Sequence, residues 1–126
     1  MKLRIKGNSL RLRITQPEMA RLLAEGGIEE TICFGPTDDA RLTYALEHRA
    51  GRDDVRVDYR EQRVSVVIST AAARRWAQSD EIGIYGTAET GCGVLDVMVE
   101  KDFACLDGND PVDADAFPNP TAGVVC

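Results

Sequence analysis

Acid is absent from the first seventeen residues. That stretch carries five cations, Lys2, Arg4, Lys6, Arg11 and Arg13, in a 126-residue chain whose formal charge is −6. Histidine is nearly absent too. With His48 alone, chemistry that needs two imidazoles is excluded, and neither G-x-S-x-G nor a Walker loop is present. The chain therefore reads as non-enzymatic. Cys33, Cys92, Cys105 and Cys126 form no C-x-x-C pair, so their spacing matches no zinc knuckle or ribbon. No apolar run reaches eighteen residues, which excludes a spanning helix. The start alternates charged and apolar residues instead of holding a signal peptide's apolar block, and the expected compartment is the cytoplasm.

What is present is strand-like alternation. Leu3 and Ile5 alternate with Arg4 and Lys6; after Gly7-Asn8, Leu10, Leu12 and Ile14 alternate with Arg11 and Arg13. Period two on both sides of a turn signal predicts a β-hairpin, its apolar side chains on one face and its cations on the other. Thr15 and Glu18 then have capping-box spacing, with Pro17 in the first turn. Met19, Leu22 and Leu23 predict one buried helical face, and Gly26-Gly27 its end. Ile28, Ile32 and Phe34, then Leu42, Tyr44 and Leu46, predict two further strands. The unit is ββαββ.

The pattern then restarts. Val55 and Val57, then Val64, Val66 and Ile68, form a second hairpin; Ser69 or Thr70 caps a helix over "AAARRWAQ"; "EIGIYG" and "VLDVMVE" are strands. At an offset of 54, Leu12 lies over Val66, Ile14 over Ile68, Leu22 over Trp76 and Ile28 over Ile82. At 53, "LTYALE" lies over "LDVMVE". Repeat one spans 2–47, repeat two 54–101, and an acidic tail 102–126 holds five aspartates, no cation and three of five prolines. A ββαββ unit of about 45 residues is too small to bury its sheet alone, so two are expected to share one core. The expected fold is α+β, mainly β: one domain over 1–126, two ββαββ units facing each other across a pseudo-twofold axis, with two short helices and an extended tail. An open antiparallel sheet with both helices on one face is the alternative.

The "KGNSLRLRIT...MARLL...GGIEETICF...LTYALE" series resembles the AbrB/MazE-type swapped-hairpin β-barrel domain. The resemblance implies both halves of such a dimer fused into one pseudo-dimeric swapped-hairpin β-barrel, and DNA contact through Arg4, Lys6, Asn8, Ser9, Arg11 and Arg13. It also implies an antitoxin-like acidic tail that wraps a basic partner. The ending "VEKDFACL...FPNP" is similar to small uncharacterised bacterial proteins, and that likeness, over nearly the whole chain, implies no activity.

Three functional expectations follow. A protein partner is the first, held by the tail through Phe103, Leu106 and Phe117 or by the barrel surface. DNA is the second, held by the basic hairpin; the second hairpin lacks such a cluster because Asp58 and Glu61 interrupt its arginines. A metal or thiol site at Cys105 and Cys126 is the third, against reduced thiols or a Cys105–Cys126 disulfide as alternatives. "DGNDPVDAD" lacks the closing glutamate of a calcium loop and has proline at 111, so it reads as solvated acid. No cofactor is expected.

Overall fold

The structure, a computed structural model, describes residues 1–103 and 115–118. Strands β1 (Lys2–Ile5) and β2 (Ser9–Ile14) form the expected hairpin. Gly7 turns it at φ +54°, a conformation that costs a residue without Cβ nothing, while Lys6 and Ser9 exchange backbone hydrogen bonds. Thr15 caps helix α1 (Gln16–Glu25): Glu18 N donates to Thr15 Oγ1 at 3.4 Å and Thr15 N to Glu18 Oε1 at 2.9 Å. Gly26 ends the helix in the left-handed region. β3 (Gly27–Cys33) and β4 (Arg41–Arg49) complete the first half, joined through a 3-10 turn at Asp38–Ala40. The second half repeats the order with β5 (Val55–Arg60), β6 (Arg63–Ser69), α2 (Thr70–Gln78), β7 (Gly83–Glu89) and β8 (Val94–Lys101). Ser69 Oγ accepts from Ala72 N at 3.0 Å and caps α2.

The halves interleave. Sheet one runs β1-β2-β8-β7 and sheet two β3-β4-β6-β5, so each takes one hairpin from each half. Each is mixed, with a parallel pair at its centre (β2–β8, β4–β6) and antiparallel hairpins outside. The registers correspond. Leu12 pairs with Val99 as Val66 pairs with Leu46, and Ile14 faces Lys101 as Ile68 faces His48. Apolar side chains on the two inner faces meet both helices in one core of Leu12, Ile14, Met19, Leu22, Leu46, Val66, Ile68, Trp76, Val97 and Val99. Each such side chain stabilises by roughly 1.5–3 kcal/mol on full burial.

The fold departs from several expectations. The strands make two four-stranded sheets, not a closed barrel. β5 and β7 lie against each other with no ladder between them, and Gly86 meets the side chain of Val55 at this seam. Nor is there a single open sheet, since the two sheets enclose one core between them. The partner of Val99 on β7 is Ile84, so Ile84, not Ile82, is the counterpart of Ile28. Ile84 is buried, whereas Ile82 is exposed and accepts from Trp76 Nε1 at 3.0 Å through its carbonyl. The indole is larger than its counterpart Leu22, and the longer connection after α2 supplies its acceptor. Leu23 reaches the surface, because Met19 and Leu22 fill the helix's inward arc.

After β8 the chain stays on the domain. Asp102 N donates to Ile14 O and Phe117 N to Asp102 O, both at 2.8 Å. Phe103 and Phe117 pair edge to face with ring centres 6.3 Å apart, and Lys101 Nζ lies 5.4 Å above the Phe117 ring. Leu106, Cys105 and Cys126 lie outside the described residues, as does most of the expected extended tail. No helix among the described residues is long and apolar enough to cross a membrane.

Candidate functional site

Strand alternation puts the cations of β1 and β2 on the outer face of sheet one. The antiparallel register sets Lys2 opposite Arg13 and Arg4 opposite Arg11. Like charges facing each other across two strands repel, and such pairs persist where counter-charge is supplied. For the first pair it is. Lys2 Nζ lies 2.9 Å from Asp102 Oδ2, and Arg13 Nε lies 3.9 Å from Glu100 Oε1. For the second pair it is half supplied. Arg11 Nε is 3.0 Å from Glu100 Oε1, in ion-pair contact but off the line of a hydrogen bond. Among the described residues Arg4 and Lys6 have no carboxylate within 4.0 Å.

Arg4, Lys6, Ser9 and Arg11 line a groove of about 120 Å³, with Met98 as its far wall. Arg11 Nη2 donates to Met98 Sδ at 3.6 Å. Beyond Met98 the neighbouring strand carries Tyr85, whose ring is half exposed and whose hydroxyl donates to Glu100 Oε2 at 2.9 Å. Partial burial and then the hydrogen bond to the Glu100 carboxylate push the Tyr85 hydroxyl up to about 12. Arg4, Arg11, Met98 and Tyr85 thus form one row across β1, β2, β8 and β7. A second depression, lined by Ser9, Tyr85, Thr87, Asp96 and Met98 among others, adjoins the groove and shares Ser9 and Met98 with it.

The hairpin residues are not equivalent. Arg4, Lys6 and Arg11 converge on the groove, while Arg13 leans toward Glu100. Asn8 and Ser9 are engaged locally: Asn8 Nδ2 donates to Val94 O and Ser9 Oγ to Lys6 O, both at 2.5 Å. Phe103 and Phe117 face each other. His48 Nδ1 meets Thr70 Oγ1 at 3.0 Å, and Cys33 and Cys92 are exposed free thiols. The described residues contain no cluster of three metal-binding side chains. Sequence reasoning missed Tyr85, Met98 and Glu100 as members of this face. Interleaving carried the signal, because swapping the hairpins brings β8 beside β2.

A second surface lies on sheet two. Its inner face carries the cross-strand row Glu30–Tyr44–Val64–Tyr59, then the Ile32–Leu42 pair. The opposite sheet does not cover this end. Ile32 is 45% exposed, Tyr59 67%, and Phe34, at the hairpin tip, 71%. Glu30, at one end of the row, lies 3.1 Å from the Met1 α-amino group, and Arg41 Nη1 sits 3.9 Å from Asp38 Oδ1.

One family model matches the chain, over residues 1–121: DUF7009, a family of unknown function. No curated protein and no solved structure matches it.

Proposed function

For a chain that belongs to the DUF7009 family, and so inherits no assigned activity, we propose a non-enzymatic protein-binding role, with the partner seated on the uncovered end of sheet two. One observation carries the reading: Ile32, Phe34 and Tyr59 stand exposed beside half-buried Leu42, Tyr44 and Val64 on one continuous sheet surface. A contiguous exposed apolar patch of this kind is often functional on a small protein. Phe103 and Phe117 support the tail route less, since each is spent on the other.

Duplex DNA is the weaker reading. Glu100 and Asp102 offset Lys2, Arg11 and Arg13, and Asn8 and Ser9 hold the hairpin itself. The test is a Phe34→Asp/Tyr59→Asp double variant. Capture from the native host recovers a partner with the wild type and loses it with the variant, and bound partner slows amide exchange over residues 32–44. Equal recovery by the two proteins, or protection elsewhere, overturns the reading.

A further inference from the structure

We propose that the outer face of sheet one binds a nucleotide, with its phosphate between Arg4, Lys6 and Arg11 and its base on the Met98–Tyr85 surface. The site is independent of the protein-binding surface, which lies on sheet two. Three features of the face converge on this chemistry.

The first is positive charge that no carboxylate of the described residues fully answers. Arg4 and Arg11 are directly opposed; of the two, only Arg11 reaches Glu100, and it shares that carboxylate with Arg13. Lys6 adds a third positive group to the same groove. A phosphate there would accept hydrogen bonds from two guanidinium groups and an ammonium and would remove the repulsion between the arginines. The groove, about 120 Å³, has room for a phosphoryl group and not for much more.

The second is what lies next to it. The depression beyond Ser9 and Met98 is lined by Tyr85, Thr87 and Asp96. A thioether and an aromatic ring make a flat, polarizable floor for a base. Thr87 and Asp96, directly paired across β7 and β8, offer a donor and acceptors for a sugar or a base edge. Two strand spacings, about 10 Å, separate Arg11 from Tyr85, which matches the reach from a 5′-phosphate to its base.

The third is rigidity. Glu100 accepts from the Tyr85 hydroxyl and contacts Arg11. The stacking ring and a phosphate-facing cation are therefore held by one carboxylate. A fixed ring loses little freedom on binding, so more of the stacking energy appears as affinity.

Free nucleotides and the nucleotides of an unpaired strand share this chemistry. Amide chemical shifts of the ¹⁵N-labelled protein would be followed with AMP, adenosine, inorganic phosphate, and the octamer rA8. The expected result is that AMP moves Arg4, Lys6, Ser9, Arg11, Tyr85 and Met98 and binds more tightly than either adenosine or phosphate. Arg4→Ala/Lys6→Ala should weaken AMP at least tenfold and flatten its salt dependence. Tyr85→Ala should weaken AMP about tenfold and leave phosphate unchanged, while Tyr85→Phe keeps the ring and most of the affinity. rA8 binding more than tenfold tighter than AMP assigns an unpaired strand; equal affinity assigns the free nucleotide. Phosphate binding as tightly as AMP, shifts on another face, or no shift at millimolar ligand would overturn the proposal. All substituted positions are solvent-facing, and thermal melts of each variant verify the fold.

Discussion

Gly86 lies directly beneath Val55. A Cβ added at 86 would fall 2.2 Å from Val55 Cγ1, inside any allowed contact. The pair joins β7 of sheet one to β5 of sheet two without a backbone hydrogen bond. By register, Gly86 corresponds to Glu30, since each faces the matching β4 or β8 residue, Tyr44 or Val97. Val55 corresponds to Met1 at the repeat offset. There the α-amino group of Met1 sits 3.1 Å from Glu30 Oε2. One seam is closed by packing and the other by an ion pair.

Gly86→Ala should therefore destabilise the protein by about 1–3 kcal/mol through overpacking. Val55→Ala in the same chain removes the atom that clashes, so the double variant should lose less than the two single losses added together. Urea unfolding of the four proteins measures the coupling. Additive losses would mean that the seam yields without cost.

The turn between β5 and β6 places Glu61 at φ +50° and Gln62 at φ +59°. Both are ordinary L-residues in a region that favours asparagine and glycine, at the positions that Gly7-Asn8 takes in the first hairpin. Replacing Glu61-Gln62 with Asn-Gly should stabilise by about 1 kcal/mol, read as a rise in the denaturation midpoint at constant slope. A fall would place the preference of this turn in side-chain contacts.

Glu18 ties the capping box to the Met1 α-amino group, which it contacts directly, while accepting from Thr15 N. Burial raises its carboxyl pKa, but the hydrogen bonds from the α-amino group and the Thr15 backbone outweigh it and hold the pKa below the usual 4.5. A depressed carboxyl contributes stability that is present above the unfolded pKa and lost as pH falls through the folded one. Thermal melts from pH 7 to 3 should show a decline below about pH 4.5 that is shallower in Glu18→Gln. Parallel curves for the two proteins would remove Glu18 from the acid response.

Tyr85 acts at the other end of the scale. Its hydroxyl, raised to about 12 by burial and the bond to Glu100, stays protonated in the folded state after an unfolded tyrosine, near 10, has ionised. The stabilisation from this group is complete below pH 10 and disappears between 10 and 12. Absorbance titration near 295 nm should contain a late tyrosine step that Glu100→Gln moves to lower pH. A step unmoved by that change would exclude Glu100 as its cause.

Much of the architecture was legible because alternation and capping are local. The Gly7 turn, the Thr15–Glu18 box, a cap at Ser69 or Thr70 and the order of all eight strands follow from side chains a few residues apart. Period two also put Arg4, Lys6 and Arg11 on one face. Ile82 misled because a repeat offset cannot register an added loop, and Leu23 because a ten-residue helix offers only a narrow inward arc.

From the sequence alone come two similar ββαββ halves and a cationic strand face, since periodicity dictates which side chains share a side. Only tertiary structure decided which strands became neighbours. Pairing β2 with β8, and β8 with β7, delivers Glu100, Met98 and Tyr85 to the basic hairpin from more than seventy residues away. No local pattern encodes that meeting, because a strand's edges accept any partner whose register and buried face fit, and the choice rests with the shared core.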